Sequence, residues 1–420
     1  MPTYGAFYNG IGKSRADQSA FDNMVNVDPH SEIGYLKPQL ALTLESATPT
    51  EPTISCVVPS GTVYFFSTTS GNIWKRATDG TYSSITANAN TSHRGAYHFN
   101  GYLWYWTASK LGLMVADTEA SRNDSFATFS NGNAQGCFEV NFSLHICDGK
   151  YIAGIDGANT FSANVLDFPA NKIATICTKV GTDLLIGTYV GSNVQSCTFY
   201  LWDTYSPSWS IEDDIPEKTP NCFIDGDNVK IAQCGDAGAL YYWNGGQMVP
   251  MDNTIRNTTT SIAPFNSCVY NKRPTFCSGN KVFTIYKQYS SSGYAIVQEY
   301  TATGTTISSV IASGSQMLVS HGGGVDKVGT SYATGYVDTP EVTGITADSV
   351  MVDHDAYGAG VGISTNSNRA GYVTQTPIVD DIRSQVYFDG GLPDSVTTQA
   401  RITLTPSGSD IPIIKSITVE

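Results

Sequence analysis

Residues 97–106 of the chain read Tyr-His-Phe-Asn-Gly-Tyr-Leu-Trp-Tyr-Trp, so an aromatic run follows directly after Gly101. Aromatic residues favour strands, and glycine supplies the positive φ that a tight hairpin turn needs. Alternate residues of a strand point to opposite faces, so this run presents large apolar side chains on both sides. Such a strand needs a neighbouring sheet on each face.

The same unit, a glycine turn followed at once by an apolar or aromatic strand, recurs at Gly61, Gly101, Gly149, Gly181, Gly226, Gly279 and Gly314. Consecutive glycines are 32 to 53 residues apart, with a mean of about 42, and one four-stranded propeller blade takes roughly 40–50 residues. A second element, an aromatic strand before a polar turn, is interpreted as the later hairpin of a blade; it occurs at 73–75, 199–203 and 240–244. The sequence predicts an all-β protein with a β-propeller of six or seven blades. An irregular β-sandwich with accidental spacing is the alternative.

The propeller is assigned to residues 53–330, and the flanks differ from it in texture. Residues 1–52 are predicted as an N-terminal arm and linker, ending in the Pro-bearing stretch 48–52. We expect the propeller to fold without residues 1–46. The only weak helical pattern in the chain falls at residues 14–23.

The C-terminal flank, residues 331–420, is predicted as a small antiparallel β-sandwich. Blade-like aromatic residues thin out there, and strand-like alternation replaces them. Ala400, Ile402 and Leu404 alternate with polar residues and should share one buried face.

Composition excludes several classes of protein. The chain has 420 residues, 41% of them hydrophobic, which is enough apolar surface to fold rather than stay disordered. Its net charge of −14 argues against a nucleic-acid binder that works by electrostatic attraction, although DNA could still slide past such a surface. No run reaches 18 apolar residues and the first residues lack the features of a secretory signal, so neither a membrane span nor export by such a signal is expected.

The nine cysteines form no CxxC pair and lack the spacing of a zinc site; they are Cys56, Cys137, Cys147, Cys177, Cys197, Cys222, Cys234, Cys268 and Cys277. An odd number without a signal peptide indicates reduced, mostly buried thiols made in a cytoplasm. We assign them no metal, cofactor or catalytic role.

Paired carboxylates were weighed as a glycosidase site because β-propellers with acidic loops include such enzymes. The candidates are Glu212-Asp213-Asp214, Asp225 with Asp227, and Asp380-Asp381. Each lies in a stretch rich in Gly, Pro or Asn, where Asp is favoured for turn formation alone. The Asp-box of sialidase propellers is absent. Residues 225–228 superficially suggest calcium but lack the length and downstream Glu of an EF-hand loop.

Histidines give no stronger signal. Asp353, His354 and Asp355 follow a strand, and adjacent strand residues diverge instead of converging on one metal. The stretch 321–324, His-Gly-Gly-Gly, is similar to an esterase oxyanion loop, but no Gly-x-Ser-x-Gly elbow accompanies it. The remaining candidates are isolated histidines expected to be structural: His30, His93, His98 and His145. The aromatic run at 97–106 could stack sugars, although packing between blades explains it equally well. We therefore assign no catalytic, cofactor-binding or metal-binding residue and expect no enzyme.

Two stretches outside the repeats resemble a known class of viral protein. Residues 22–38 contain Asn26-Val27-Asp28 and then Gly34-Tyr35-Leu36-Lys37-Pro38. This order is similar to the N-V-D strand and G-x-L-x-P turn that open many structural proteins of tailed bacteriophages. Residues 401–417 resemble the last two strands of the domain that closes such proteins. With the order arm, propeller and sandwich, they resemble the propeller-containing tail nozzle and packaged-DNA stabilisation proteins of short-tailed phages.

The resemblance implies a structural virion protein, made in the host cytoplasm and assembled in the tail. It implies a homo-oligomeric ring, commonly a hexamer, below the portal and adaptor, through which the genome is retained and later ejected. Its partners would be other tail proteins, and DNA would only pass through the lumen, whose acidic wall would repel phosphates. Two alternatives stay open: a tail tip or fibre protein that binds host glycan, and a propeller glycoside hydrolase with carboxylates from different blades.

Overall fold

The computed structural model describes residues 3–4, 21–29, 35–191, 196–226, 229–251, 263–287, 294–343, 349–355, 359–367, 371–375, 378–379, 382–387 and 397–419. Within these ranges there are 41 strands, numbered β1 to β41 in chain order, and no helix. The prediction of an all-β protein is confirmed. The described ranges hold no helix long and apolar enough to cross a membrane. Most of the predicted helical stretch 14–23 lies outside the described residues, and its last residue, Asn23, begins a strand.

Five short strands come from the segment predicted as an arm: β1 Thr3–Tyr4, β2 Asn23–Val25, β3 Val27–Asp28, β4 Lys37–Pro38 and β5 Leu40–Ser46. Strands β3 and β4 pair with each other, whereas β1, β2 and β5 join sheets built by residues near the other end of the chain. Three of the five described strands of the segment 1–52 are thus hydrogen-bonded to later parts of the chain.

The middle of the chain forms four-stranded antiparallel units in sequence order. Units one to three are β6 Thr53–Val57, β7 Val63–Ser67, β8 Ile73–Arg76 and β9 Tyr82–Ile85; β10 Gly95–Phe99, β11 Tyr102–Trp106, β12 Lys110–Val115 and β13 Asn123–Thr128; and β14 Ala134–Val140, β15 Ser143–Asp148, β16 Tyr151–Ile155 and β17 Phe161–Asp167. Units four and five are β18 Lys172–Val180, β19 Asp183–Val190, β20 Cys197–Trp202 and β21 Ile211–Ile215; and β22 Pro220–Gly226, β23 Val229–Cys234, β24 Ala239–Trp243 and β25 Met248–Pro250. Units six and seven are β26 Ser267–Tyr270, β27 Arg273–Ser278, β28 Lys281–Lys287 and β29 Tyr294–Thr301; and β30 Ile307–Ser313, β31 Gln316–His321 and β32 Gly324–Tyr332, with β5 as the fourth strand.

The units are arranged in a closed ring. The first strand of each unit contacts the first strand of the next, and β30 of unit seven contacts β6 of unit one. The outermost strand of unit seven is β5, which pairs with β32, so a strand from the start of the chain completes the last unit. This arrangement confirms the prediction of a β-propeller.

The first hairpin of each unit explains the uneven spacing of the glycines. The second strands of the seven units begin 39 to 46 residues apart, a narrower range than the glycines show. Gly149 and Gly279 lie in the second hairpin turn of their units, between β15 and β16 and between β27 and β28. In unit three the first turn is Asn141-Phe142, and in unit six it is Asn271-Lys272. All four of these residues have a positive φ. Non-glycine residues therefore occupy the turn that the repeat pattern assigned to glycine.

Hydrophobic cores lie between neighbouring units. Leu103 and Tyr105 of β11 pack with Phe66 of unit one, whereas Trp104 and Trp106 pack towards unit three. The four side chains just named on β11 are almost completely buried. The aromatic run at 97–106 therefore joins three units, as its alternation predicts.

The last nine strands are β33 Gly335–Asp338, β34 Val342–Thr343, β35 Ser349–Asp355, β36 Gly360–Ser367, β37 Tyr372–Thr374, β38 Ile378–Val379, β39 Arg383–Tyr387, β40 Thr397–Thr405 and β41 Ile413–Val419. One sheet has the order β1-β41-β35-β39-β38, and the other continues from unit six through β29-β2-β33-β40-β36-β37. Both sheets contribute to a single hydrophobic core, in which Ala400, Ile402 and Leu404 are fully buried. This shared face is the one predicted from their alternation.

Candidate functional site

A cavity of about 620 Å³ lies on the axis of the ring. The first strands of all seven units line it, with aromatic side chains from Tyr97, Phe138, Phe223 and Phe265. A volume of this size is within the range of small-molecule sites in proteins, roughly 300–1,000 Å³. The axis of the ring is therefore the first place to look for a function.

The segment 263–266, just before β26, crosses the axial channel. It belongs to unit six, yet Phe265 packs against Trp106 of unit two, with ring centroids 6.2 Å apart. A Cβ added at Gly136 of unit three would lie 3.1 Å from Pro264. Units two and three lie across the ring from unit six, so this segment spans the channel. A second cavity, of about 390 Å³, is also lined by Pro264 and Phe265, so they stand between the two.

Asp225 is the carboxylate that reaches the larger cavity. Both of its oxygens accept a hydrogen bond from Thr178 Oγ1, at 2.7 and 2.8 Å, and Lys230 Nζ lies 3.2 Å away. The adjacent Lys230 neutralises its charge. The structure thus gives Asp225 a structural ion pair, while its sequence partners at 227 and 228 lie outside the described residues.

The other acidic candidates do not form a pair in a cleft. Glu212 and Asp214 are exposed on β21, the outermost strand of unit four. Asp213 faces unit five, where it accepts a hydrogen bond of 2.6 Å from the amide of Met248. Residues 380 and 381 lie outside the described part of the chain. Among the described residues, no three His, Cys, Asp or Glu side chains are grouped to hold a metal ion.

His321, at the start of the glycine run 321–324, is buried in unit seven beside Asp326 and Thr303. Its Nδ1 accepts a hydrogen bond of 3.1 Å from the amide of Gly323, so Nε2 carries the proton and donates to Asp326 Oδ1, also at 3.1 Å. Thr303 Oγ1 lies 3.3 Å from the same Nε2. A catalytic triad places the hydroxyl and the carboxylate on opposite ring nitrogens. This cluster therefore holds a hairpin and is not a triad.

His354 and its two acidic neighbours diverge. His354 is buried, with Nε2 2.8 Å from Ser384 Oγ. Asp353 pairs with Arg383 at 2.8 Å, and Asp355 pairs with Lys415 at 2.7 Å, on the other face of β35. The three residues do not converge on one site.

The isolated histidines serve packing. His93 is buried, with Nδ1 2.9 Å from the carbonyl oxygen of Ser67 and Nε2 3.2 Å from Asn88 Nδ2. Burial lowers the pKa of His145 to about 4, so its imidazole is neutral at physiological pH. His98 lines the larger cavity, and burial lowers its pKa too. His30 lies outside the described residues.

All nine cysteines are free thiols, and seven of them are buried. Cys56, Cys137, Cys177 and Cys268, from the first strands of four units, line the larger cavity. Burial raises the pKa of Cys56 and Cys268 to about 12 and that of Cys137 well above the usual value of a thiol. Cys56, Cys137 and Cys268 are therefore neutral at physiological pH, and they are poor nucleophiles.

A second feature, missed by the sequence patterns, is a pair of exposed aromatic side chains on one face of units three and four. Phe142 and Tyr205 are 85% and 79% exposed. Their turns are tied together by Asn141, whose Nδ2 donates to the carbonyl oxygen of Thr182 and to Thr204 Oγ1, each at 2.9 Å. Phe142 itself has a φ of 60°. The two aromatics sit on turns that are hydrogen-bonded to each other.

No protein-family model matches the chain, and no curated protein matches it in sequence. Several solved structures are similar to the chain in fold. A streptogramin B lyase has a TM-score of 0.53 and 12% identity, with 69% of this chain and 97% of that chain covered. The WD40 repeats of RRP9 have a TM-score of 0.52 and 12% identity, with 70% and 99% covered. A catalytically inactive virginiamycin B lyase from Staphylococcus aureus with quinupristin has a TM-score of 0.51 and 13% identity, with 69% and 98% covered.

These likenesses define the class of protein: an all-β protein that contains a β-propeller. At 12 to 13% identity they show the fold alone. Lyases and WD40 repeats share this fold with unrelated functions, so it assigns no activity to the chain. Function has to be argued from the chain's own residues.

Proposed function

We propose that the chain is a non-enzymatic structural protein of a bacteriophage virion, a subunit of the axial tail nozzle of a short-tailed phage. In this proposal the seven units are the blades of one propeller, and the two C-terminal sheets form a β-sandwich. Several copies surround the path along which DNA is retained and ejected. Other tail proteins above and below the ring are its partners.

One observation carries the proposal: the two stretches that resemble phage tail proteins pack against each other. Leu36 and Ile414 exchange backbone hydrogen bonds, of 3.0 and 2.8 Å. Arg401 forms two hydrogen bonds with Asp338, of 2.7 and 2.8 Å, and Asp338 also accepts one of 2.9 Å from Asn23. Stretches separated by more than 360 residues in sequence thus contact each other in one structural element. This junction supports a shared role for the two stretches.

The connection between propeller and C-terminal sheets also supports a mechanical role. Strand β2 lies between β29 of unit six and β33, parallel to the first and antiparallel to the second. The hydrogen-bonded sheet therefore runs from the propeller into the C-terminal core without a flexible linker. A subunit built in this way resists being pulled apart at its domain boundary.

Side chains in the axial channel of the propeller limit where DNA could pass in this proposal. Pro264 and Phe265 stand in the channel of the single propeller, so the proposed conduit has to lie between copies of the chain. A net charge of −14 suits a wall that DNA passes without adhering. Free thiols suit assembly in a reducing host cytoplasm.

Quantitative mass spectrometry of phage particles purified from the source of the gene tests the proposal. A nozzle subunit should be present in about six or twelve copies per particle, the numbers expected of a closed axial ring. The major capsid protein and the portal protein serve as internal copy-number standards. Absence of the chain from intact particles would overturn the proposal.

A second candidate function, recognition of host glycan by a tail tip or fibre, is favoured by Phe142 and Tyr205. Exposed aromatic rings stack on the apolar faces of sugars, and neighbouring amide, hydroxyl and carboxylate groups can bind sugar hydroxyls. Asn141, Thr182 and Asp203 supply such groups in the same turns. Loops that hold aromatic side chains at a surface are common places for binding.

Titration with host surface polysaccharide, followed by tryptophan fluorescence, separates the two candidates. A glycan binder should show saturable quenching that is lost in the double variant Phe142→Ala/Tyr205→Ala. Phe126→Ala is the matched control, because Phe126 is a partly exposed aromatic on a different surface, the outer strand β13. No saturable response in the wild-type chain would exclude this candidate and leave the nozzle proposal untouched.

A further inference from the structure

The larger axial cavity is a blind pocket on one side of the segment 263–266. Phe265 forms its inner end, and Cys137, Cys268 and Val269 on the channel wall are partly exposed to solvent. Val269 is 40% exposed, so solvent reaches this part of the wall. A pocket closed at one end and open at the other admits a ligand without any rearrangement of the ring.

Most of the wall of the pocket is apolar. It includes Val58, Ile176, Val310 and Ile311 together with the aromatic residues and cysteines already described. Two lining hydroxyls are already engaged, since Ser55 donates to Ser309 Oγ and Ser267 donates to the carbonyl oxygen of Phe223. Besides Asp225, the polar side chains that remain in the lining are Tyr97 and His98, so a ligand would be held mainly by apolar contact.

The charges at the pocket exclude ionic ligands. Asp225 is the charged side chain among the described residues that line it, and its charge is held by Lys230 at 3.2 Å. An anion would lose its hydration in the pocket without meeting an unpaired cation there, because Lys230 is already paired with Asp225, and the overall charge of −14 opposes its approach. A cation would have to displace Lys230 and would lose its own hydration in an apolar pocket.

We propose that the axial pocket is a binding site for an uncharged lipophilic molecule of small-ligand size. The volume of about 620 Å³ is large enough for a two- or three-ring aromatic compound or an equivalent aliphatic one. The driving force is burial of apolar surface against aromatic and thiol groups. The site is independent of the nozzle proposal, because it uses residues that face the axis of a single chain.

Binding of two matched fluorescent probes to the full-length protein tests the charge selectivity. N-phenyl-1-naphthylamine is neutral, and 8-anilinonaphthalene-1-sulfonate carries the same ring system with a negative charge. The neutral probe should bind saturably with one site per chain, and the sulfonate should bind at least about tenfold more weakly. Equal binding of both probes, or no saturable binding of the neutral one, would overturn the proposal.

Two valines locate the site. Val269→Phe places a larger side chain on the pocket wall, whereas Val165→Phe makes the same change on the outer strand β17, where Val165 is 37% exposed. The first change should weaken binding of the neutral probe at least about tenfold, because the phenyl ring would narrow the solvent-accessible part of the pocket, and the second should leave binding unchanged. Equal effects of the two substitutions would place the probe elsewhere.

A measurement on the unaltered chain guards against a variant that fails to fold. Cys137 and Cys268 are the two partly exposed cysteines, and both line the pocket. Their raised pKa makes both thiols slow to react, but their exposure should let N-ethylmaleimide alkylate them before the seven buried cysteines at mildly alkaline pH. Saturating neutral probe should slow that reaction further, as read by peptide mass spectrometry. Alkylation at an unchanged rate would contradict the proposal whatever the variants do.

Discussion

Glu299 on β29 is a carboxylate with almost no access to water, since its side chain is 3% exposed. It accepts hydrogen bonds from Thr284 and Tyr286 on the neighbouring strand β28. Burial raises its pKa to about 7, although Thr284 and the guanidinium of Arg273, 3.6 Å away, oppose that rise. Asp28 adds to it. The junction between unit six and the N-terminal strands thus contains an acid that titrates near neutral pH.

The substitution Glu299→Gln should stabilise the protein at pH 8 relative to the wild type and much less so at pH 5. The folded pKa lies above the unfolded value, so the wild type loses stability as pH rises from about 4.5 to about 7. The difference in unfolding free energy between the two proteins should change by about 2 to 3 kcal/mol over this range. Urea denaturation at several pH values measures it. Glu212→Gln, on an exposed strand, is the control, and a pH-independent difference for Glu299→Gln would contradict the prediction.

Glu45 on β5 holds the two ends of the ring together. Its carboxylate accepts hydrogen bonds from Arg76 Nε and Nη2 of unit one, at 2.7 and 2.8 Å, and from Tyr82 at 2.9 Å. Lys327 of unit seven lies 3.1 Å away. Burial alone would raise the pKa of Glu45, but these partners outweigh it and lower the pKa to about 2.

Glu45→Gln should cost about 3 kcal/mol of unfolding free energy at pH 7, because a nearly buried Arg76 loses its charge partner. The folded pKa lies below the unfolded one, so the contribution of Glu45 is complete above about pH 5 and falls as pH drops towards 2. The gap between wild type and variant should therefore narrow in acid. Asp167→Asn removes an exposed ion pair with Lys150, 3.7 Å long, and should cost less than about 1 kcal/mol. Equal losses from the two substitutions would show that Glu45 does not secure the ring.

At the scale of strands, the sequence-based expectation for the N-terminal segment needs correction. A propeller that folds without residues 1–46 would have to do without β5, which is the outermost strand of unit seven. It would also lose β2, which lies between β29 and β33. Alternation and turn patterns did not indicate this role, because the partner of β5 lies about 280 residues further along the chain.

Deletion of residues 1–46 should therefore destabilise the propeller instead of leaving it intact. The truncation exposes the hydrogen-bonding edge of β32 and leaves Arg76 without Glu45, so aggregation is expected as well. Deletion of residues 1–20, which keeps β2 to β5, is the matched control. Size-exclusion chromatography and thermal unfolding compare the two truncated proteins. Equal behaviour of the two would restore the original expectation.

The strands themselves were predictable where side chains alternate or where large aromatics cluster. Trp104 and Trp106 face one neighbouring unit and Tyr105 the other, which their order in the sequence required. The turns were harder, because Asn141-Phe142 adopts the conformation expected of glycine. Asn is often found with a positive φ, whereas a Phe in a sequence gives no indication that its φ is positive.

At the scale of the whole molecule, sequence predicted the propeller and missed what fills its axis. Phe265 lies in a turn, which Pro264 and Asn266 favour, but no local pattern shows that Phe265 packs against Trp106 across the ring or that Pro264 lies beside Gly136. The cavity needs strands from all seven units, which no local pattern brings together. The assignment of the Asp candidates to turns rests only on the general preference of Asp for turns and stays a prediction.

Because β5 pairs with β32, unit seven can be completed only late in the synthesis of the chain. Residues 40–46 leave the ribosome early, whereas their partner strand β32 ends at Tyr332. At translation rates of roughly 5–20 residues per second, the early strand waits on the order of 15 to 60 seconds for its partner. During that interval the nascent chain carries an unpaired strand and cannot complete its last unit. The time needed to synthesise residues 47–332, and not the speed of any local folding event, then sets the earliest moment at which the ring can close.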